Sequence, residues 1–445
     1  MIARALVDFC DGQKELRMQS ATDLRGLEEI SISEIPVRHW PSPLPFEQMG
    51  RAERIAQLVT QGTEIDPHAV LFSLLTVSGG IIGSDVHLYV GETRHYCRLF
   101  CVLAGASSRG RKGSSLAPIL SIFKEIVPEF PEIWTSGPLS SGEGLLWRIR
   151  DASEDVGKDG APTDPGVDDK RLIILDGEFA SALRAMKRET NTLSAIIRSA
   201  WDSGDISPLT KTKPVRVTNG HVCFVSHITT PELHACLSES DAVNGFANRI
   251  LWICTRRQGS VPFPERLSKE ARGEIGAILS KSLAVATETR EMTLSSDAKE
   301  LFGTAYPILT QERPGLYGAA TSRAEAQVIR LSMILSILEG SPVIRREDMV
   351  RALHCWRYAE ESARFIFGDR EPDRRAIKIL NYLAGGERTT TQIINDLFSK
   401  NGVGIAEVLE HLQSVGKVTS RREKTGKKPT TWWSLAQNRV TDLTD

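Results

Sequence analysis

RLFCVLAGASSRGRKGSS, at residues 98–115, is the stretch of sequence that decides the fold predicted for this chain. Its first residues, Arg98–Leu103, are mostly apolar and predict a buried strand. Gly105–Ser115 is rich in glycine, serine and basic residues, and the apolar pattern that resumes over Leu116–Glu125 predicts a helix. A strand, a glycine-rich basic loop and a helix in this order are the setting of a phosphate-binding loop.

The loop departs from the usual G-x4-G-K-S/T pattern. Gly105 and Gly110 have the separation that the pattern requires, but Arg111 stands where lysine is expected. If Lys112 is the phosphate-binding lysine, then Arg111 replaces the second glycine, and Gly113 falls where a Mg²⁺-binding hydroxyl is expected. The alternative is a flexible basic surface loop. The strand before the loop and the helix after it favour nucleotide binding.

Two carboxylates follow a second buried strand, the apolar run Leu172–Leu175. Asp176 and Glu178 come directly after it, with Gly177 between them, whereas the usual pair is adjacent. A carboxylate at a strand end beside a phosphate loop can order Mg²⁺, and a second one can polarise the attacking water. Asp176 is the better candidate for the metal and Glu178 for the general base. The alternative is a strand end that merely carries two acids.

The composition limits the possible classes of protein. The 445 residues carry 55 Lys and Arg against 56 Asp and Glu, so a nucleic-acid surface has to come from local clusters. Seven cysteines without a CxxC unit indicate a reduced, cytoplasmic protein. His95, Cys97 and Cys101 come closest to a metal-binding pattern, and we interpret the thiols as buried strand residues. No apolar stretch approaches the length of a membrane span, so a soluble protein with no membrane partner is expected.

The order of predicted elements divides the chain into regions. Strands alternate with helices through the first half, which predicts an α/β fold with a mostly parallel sheet covered on both faces. The pattern is helical from about Pro264 to Gly368, and a turn-rich break follows. The predicted domains are a lead-in at 1–48, a three-layer α/β/α ATPase core at 49–262, a helical lid at 263–369 and a C-terminal module at 370–445.

This order of elements resembles the AAA+ superfamily of P-loop ATPases and, within it, the minichromosome-maintenance-like helicases. Four runs look more specifically like a bacterial and phage family of uncharacterised primase/helicase-associated ATPases with the DUF3987 domain. The resemblance covers roughly Trp40 to Asp369. The runs that carry it are Gly105–Ser115, Glu178–Asp202, Ser226–Thr230 and Asn244–Leu251.

The resemblance implies roles at the nucleotide. Lys112 would be the phosphate-loop lysine, Ser114 or Ser115 would supply the hydroxyl for Mg²⁺, and Asp176 and Glu178 would be the Walker-B carboxylates. The cofactors would be ATP and Mg²⁺. The nucleotide-binding set would be Gly105, Gly110, Arg111, Lys112, Gly113, Ser114 and Ser115.

Three further positions take roles from the resemblance, and each has an ordinary structural alternative. His227 falls where such ATPases keep a polar sensor of the γ-phosphate, usually Asn, or it is a buried histidine with satisfied hydrogen bonds. Arg249 falls at the arginine finger that reaches a neighbour's site, or it pairs with a carboxylate of its own fold. Arg323, in the first turn of a helix predicted over Ser322–Leu338, falls at the second-sensor position, or it is a solvated helix charge.

Basic residues predict a DNA-contacting hairpin over Leu209–Thr218, where the helicases insert one. Lys211 and Lys213 are two residues apart, so an extended strand places both on one face. Arg216 lies past Pro214 and could join them only from the return strand. The alternative is an exposed hairpin with ordinary solubilising charges.

The last 70 or so residues have the pattern of a winged helix, in which three short helices precede a hairpin with aromatic residues. The third helix, predicted over Gly404–Val415, would enter the major groove. Residues 417–428, the wing, carry six basic residues against Glu423, a local net charge of +5 that suits phosphate contact. Winged helices also serve as protein docking modules. The basic residues of the wing are Lys417, Arg421, Arg422, Lys424, Lys427 and Lys428.

The function expected from these features is an ATP-dependent motor that acts on DNA, a replicative helicase or helicase loader of a bacterium, phage or mobile element. The expected partners are single- or double-stranded DNA, further copies of the chain in a ring of six, and a separate primase or replication initiator. One rival is a DNA-binding regulator that ATP switches with little turnover. The other is a defence or partition ATPase built from the same parts.

Overall fold

The computed structural model describes residues 39–105, 115–188, 190–208, 215–237, 244–313, 315–368, 374–398, 405–414, 417–425 and 428–436. The first helices are α1 (Arg51–Thr60) and α2 (Pro67–Ile82), and the Asp66 carboxylate caps α2 by accepting the backbone N–H of His68. Almost every residue of α2 is buried, because the helix is apolar on all sides. The first strands, β1 (His87–Val90) and β2 (Thr93–Tyr96), form an antiparallel hairpin.

A five-stranded parallel sheet forms the centre of the molecule. Its strands lie in the order β4-β5-β6-β3-β7. The α/β class predicted from the sequence is therefore confirmed. Their bounds are β3 Phe100–Gly105, β4 Trp134–Ser136, β5 Arg171–Asp176, β6 His221–Thr229 and β7 Ile250–Cys254.

Helices cover both faces of this sheet. On one face, α2 lies so close that a Cβ on Gly80 would come within 2.5 Å of the Ile173 side chain. On the other face, Phe100 and Phe224 stack at 4.5 Å, and Phe179 packs against Phe224. The helices between the strands are α3 Leu116–Ile126, α4 Phe130–Ile133, α5 Gly142–Arg148, α6 Phe179–Met186, α7 Leu193–Asp202 and α8 Thr230–Cys236.

A helical region follows the sheet. Its long helix α13 lies against β7, where Tyr358 donates to the carbonyl of Cys254 at 2.7 Å. α12 begins at Ala324, so Arg323 occupies the N-cap position and not the first turn that the sequence predicted. The short strands β8 (Thr293–Leu294) and β9 (Val343–Ile344) pair in parallel. The helices are α9 Lys269–Glu288, α10 Ser296–Leu309, α11 Gly315–Thr321, α12 Ala324–Leu338 and α13 Arg346–Phe367.

The C-terminal residues combine three helices with a three-stranded antiparallel sheet of order β10-β12-β11. They have a hydrophobic core of their own, in which Leu409 and Trp433 are buried. Among the helices described here and above, none combines the length and apolarity needed to cross a membrane. The elements are α14 Arg374–Ala384, β10 Arg388–Thr389, α15 Thr390–Phe398, α16 Ile405–Ser414, β11 Val418–Thr425 and β12 Lys428–Leu435.

Candidate nucleotide site

The carboxyl ends of β3, β5 and β6 meet at one edge of the sheet, where parallel α/β folds bind their ligands. Asp176, the last residue of β5, is aligned with Ser226 of β6, and Gly105, the last residue of β3, is aligned with Thr229. Ser115 is buried and directly precedes α3. The residues between them in the sequence-predicted loop lie outside the described part of the chain: Gly110, Arg111, Lys112, Gly113 and Ser114.

Asp176 is 2% exposed, and its two carboxylate oxygens differ. Oδ1 accepts the backbone N–H of Glu178 at 2.9 Å, whereas Oδ2 is buried with no hydrogen-bond partner in the described residues. Burial raises the pKa of the carboxyl, and hydrogen bonding from the backbone of Glu178 and Leu139 and from the Ser226 side chain opposes that rise only in part. A buried carboxylate oxygen without a partner fits a cation at this position.

The donor set also agrees with Mg²⁺ in particular. No cluster of three or more metal-ligating side chains occurs among the described residues. Mg²⁺ needs no such cluster, because it commonly binds through one or two carboxylates, water and the phosphates of a nucleotide. Asp176 could therefore hold Mg²⁺ together with a hydroxyl of the loop before α3.

Glu178 lies at the N-cap of α6, on the solvent side of Asp176. Its side chain is 63% exposed and pairs with Arg184 at 2.7 Å. The candidate base is therefore accessible to water but held by a cation of its own helix.

His227 lies within β6, which continues two residues further to Thr229. It is buried and aligned with Leu103. Because side chains alternate along a strand, His227 points to the opposite face of the sheet from Ser226 and its aligned neighbour Asp176. The structure thus does not bring His227 and Asp176 together on one face, and the sensor role stays a prediction.

Arg249 directly precedes β7, at the amino edge of the sheet, and is bound to its own fold. Its Nη2 lies 2.6 Å from Oδ2 of Asp202, and its Nε lies 3.3 Å from Oδ1. Arg323 reaches the same carboxylate at 3.4 Å. Both guanidinium groups lie near the ring of Trp201, at 5.7 and 5.3 Å from its centroid.

Two more arginines contact Trp201 or Asp202, and together with Arg249 and Arg323 they form what we call the arginine cluster. The sequence analysis did not identify these two as site residues. Arg330 stacks on Trp201 at 3.5 Å and donates to the Trp201 carbonyl at 2.9 Å. Arg98 donates to the Asp202 carbonyl at 3.5 Å. The signal in the sequence was only the pair Trp201-Asp202 at the end of a predicted helix. The four members of the arginine cluster are Arg98, Arg249, Arg323 and Arg330.

The candidate DNA residues are only partly within the described chain. Lys211, Lys213 and Lys427 lie outside it, as do the side chains of Lys424 and Lys428. Arg216 pairs with Glu154 at 2.5 Å. Arg421 pairs with Glu387 at 2.8 Å, and Lys417 and Arg422 are exposed.

A cavity of about 860 Å³ lies on the amino side of β5, away from Asp176. Among its basic side chains, Arg171 already pairs with Asp169 at 2.6 Å and with Glu129 at 3.1 Å, and Lys170 pairs with Asp151 at 2.8 Å. The carboxyl edge is therefore the better candidate for an anionic nucleotide. No protein-family model and no curated protein matches this chain, so the resemblance drawn from its motifs stays a prediction.

Proposed function

We propose that the chain binds ATP with Mg²⁺ at the carboxyl edge of its parallel sheet and hydrolyses it while acting on DNA. The observation that carries this proposal is Asp176, whose buried Oδ2 has no hydrogen-bond partner in the described residues. Only β6 separates this residue from β3, the strand that runs into the glycine-rich basic loop. Backbone N–H groups of such a loop wrap phosphates, and its lysine neutralises them.

The roles follow from the order of the residues along the chain and from the place of Asp176 at the end of β5. Lys112 would neutralise the β- and γ-phosphate oxygens, and Ser114 or Ser115 would bind the metal together with Asp176. Mg²⁺, when bound, would neutralise charge on the phosphates. Glu178 would take the proton of the attacking water. The sheet with helices on both faces and the helical region after it support an ATPase of the AAA+ type.

The DNA part of the proposal is supported by the C-terminal residues. Their order of helices and strands, α14-β10-α15-α16-β11-β12, agrees with the winged-helix pattern predicted from the sequence, and the wing (residues 417–428) includes β11. Among its basic side chains, Arg422 is exposed on β11. An exposed basic hairpin beside a short helix suits phosphate contact on either side of a groove.

The pairing of Glu178 with Arg184 favours a second candidate, a DNA-binding regulator that ATP switches with little turnover. In this pairing the Oε1 atom of Glu178 accepts from Arg184, so it does not face a water molecule. ATP hydrolysis measured with and without single-stranded DNA, together with strand displacement, separates the two functions. DNA-stimulated hydrolysis with displacement supports the motor, whereas ATP-dependent DNA binding without displacement supports the regulator.

Asp176→Asn is expected to weaken Mg²⁺-dependent ATP binding by about tenfold or more, which corresponds to about 1.4 kcal/mol. Binding in EDTA should not change, because the variant loses only the charge that meets the metal. A fluorescent ATP analogue titrated with and without Mg²⁺ measures both affinities. An equal loss of ATP affinity with and without Mg²⁺ would show that Asp176 does not bind the metal.

The same variant should melt at an equal or higher temperature in the absence of nucleotide. The pKa of Asp176 is higher in the folded state than in the unfolded chain. The protonated carboxyl therefore stabilises the folded state, and this stabilisation is lost as the pH rises through the folded-state pKa. Above that pKa the ionised carboxylate therefore destabilises the fold, and Asn relieves this. Asp169→Asn is the matched control. Asp169 pairs with Arg171, so loss of this carboxylate should lower the melting temperature without changing ATP binding.

Arg422→Ala is expected to lower the slope of log affinity for duplex DNA on log salt by about 0.9, the value for one lost phosphate contact. Arg421→Ala should change the slope by less than half as much, because Glu387 already neutralises Arg421. Fluorescence anisotropy between about 50 and about 200 mM salt gives both slopes. Unchanged slopes in both variants would make the wing a protein docking surface.

A further inference from the structure

A second cavity, of about 410 Å³, lies beside the carboxyl end of β7. Its walls include the segment before α1, the start of α2 and the chain that follows β7. Four of the side chains that line it carry the argument below, and these are Trp40, Phe46, His68 and Arg256. A cavity of this size can enclose a small organic ligand.

Backbone contacts place this cavity next to the candidate nucleotide site. The N–H of Thr255, which follows β7, donates to the carbonyl of Ala104 at 2.8 Å, so β7 stays paired with β3 up to the carboxyl edge. The N–H of the next residue, Arg256, donates at 2.8 Å to Asp66, the carboxylate that caps α2. The cavity is therefore only one strand away from Gly105, where the candidate phosphate loop begins.

Aromatic rings form much of the cavity wall, and each is held by a neighbour. The rings of Phe46 and His68 meet edge to face with their centroids 5.1 Å apart, and His68 stacks on Tyr358 at 4.1 Å. Trp40 is half-buried and makes an edge contact with Phe365 at 5.1 Å. Rings fixed in this way present flat apolar surface to the ring of a ligand.

His68 lines the cavity with its ring and not with a free nitrogen. Its Nδ1 lies 2.8 Å from the Asp66 carboxylate, and its Nε2 accepts the backbone N–H of Leu44 at 3.3 Å. Neither nitrogen is left to bind a metal ion. The cavity wall therefore suits an aromatic ligand better than an ion.

Arg256 adds a positive charge on the side of the cavity that faces β3. Its guanidinium lies 5.3 Å from the centroid of the Trp40 ring, and it forms no salt bridge with a carboxylate of the described residues. The next residue, Arg257, is by contrast paired with Glu64. An aromatic cavity with a single unneutralised arginine at this side fits an aromatic ring that carries phosphate.

We infer that this cavity binds the base of the nucleotide against Trp40 and Phe46, and that Arg256 meets the phosphate chain where it leaves the base. The inference rests on the proposed function, which supplies the phosphate end of the same ligand. β7 is three strand spacings from β5, roughly 14 Å, and an extended nucleoside triphosphate covers a comparable distance from base to γ-phosphate. One ATP molecule can therefore reach from the cavity, across the loop after β3, to Asp176.

Calorimetric titration with ATP and with inorganic tripolyphosphate, both in the presence of Mg²⁺, tests the inference. Trp40→Ala and Phe46→Ala should each weaken ATP binding by about tenfold, a typical effect of losing a contact between a base and an aromatic ring. Both variants should bind tripolyphosphate with the wild-type affinity, which also shows that they are folded. Arg256→Gln should weaken both ligands, because it removes a charge and leaves the aromatic surface.

Trp147→Ala is the matched control, because Trp147 is 54% exposed and lies outside the cavity. It should change neither affinity. Equal losses for ATP and tripolyphosphate in the two aromatic variants, or an unchanged ATP affinity in both, would overturn the inference while the ATP site itself stands. Wild-type protein that binds neither ligand would refute the proposed function and this inference with it.

Tryptophan fluorescence gives an independent test. ATP should quench part of the wild-type emission because its base lies against Trp40, whereas tripolyphosphate should not. In Trp40→Phe the quenching should be lost although calorimetry still detects ATP binding, since phenylalanine keeps an aromatic surface. Quenching that persists in Trp40→Phe would place the base elsewhere and overturn the inference.

Discussion

Glu178→Gln is expected to bind ATP with the wild-type affinity and to hydrolyse it about 10²–10⁴-fold more slowly, the contribution typical of a general base. Glutamine keeps the size of the side chain and can still accept the hydrogen bond that Arg184 donates to Oε1 at 2.7 Å. The substitution therefore removes the proton acceptor and little else. Phosphate release under saturating ATP gives the turnover, and equilibrium titration gives the affinity.

Arg184→Gln is the control for this experiment. It frees Glu178 from its cation, so turnover should be maintained or raised if Glu178 is the base. Unchanged turnover in Glu178→Gln would assign the base to another residue. A wild-type protein that binds ATP without measurable hydrolysis would favour the switched regulator over the motor.

Local patterns predicted many elements with accurate bounds. The helix predicted over Leu116–Glu125 occurs at Leu116–Ile126, and the helix predicted over Gly404–Val415 occurs at Ile405–Ser414. In both segments apolar residues recur at helical spacing, which is a local signal. The parallel sheet was also predicted, because alternation of apolar strands with helices leaves few other arrangements.

Long-range contacts could not be predicted in this way. Nothing local to Arg249 indicates that it meets Asp202, 47 residues earlier, or that Arg98 meets Gly220, 122 residues later. Such pairs arise because the parallel topology brings the starts of β3, β6 and β7 to one edge beside the end of α7. Pairing with β3 likewise extends β6 to Thr229, which no local pattern indicates. Sequence patterns identified Asp176 as a candidate, but only the structure gives its burial and the lack of a partner at Oδ2.

Arg249→Ala is expected to keep ATP binding but to lose about 10³–10⁵ in turnover if Arg249 serves the nucleotide of a neighbouring subunit. Arg249 cannot serve the nucleotide of its own subunit. β7 lies three strands from β5, which is roughly 14 Å across the sheet. In addition, Arg249 precedes β7 whereas Asp176 ends β5, so the two residues lie at opposite edges of the sheet. The functional protein would then be an oligomer with composite sites. Mixing Arg249→Ala with Glu178→Gln protein should restore some hydrolysis, because some interfaces then have both residues intact.

Asp202→Ala distinguishes this role from a structural one. The variant keeps Arg249 but removes the carboxylate that holds both Arg249 and Arg323, so it should melt at a lower temperature. If Arg249 is a finger, Asp202→Ala should retain most of the turnover, since the variant keeps the Arg249 guanidinium, which still donates to Gly245 and Asn248. If Arg249 is structural, the two variants should lose stability and turnover in parallel, and no mixture of mutants should recover activity. That parallel loss would remove the main support for a ring.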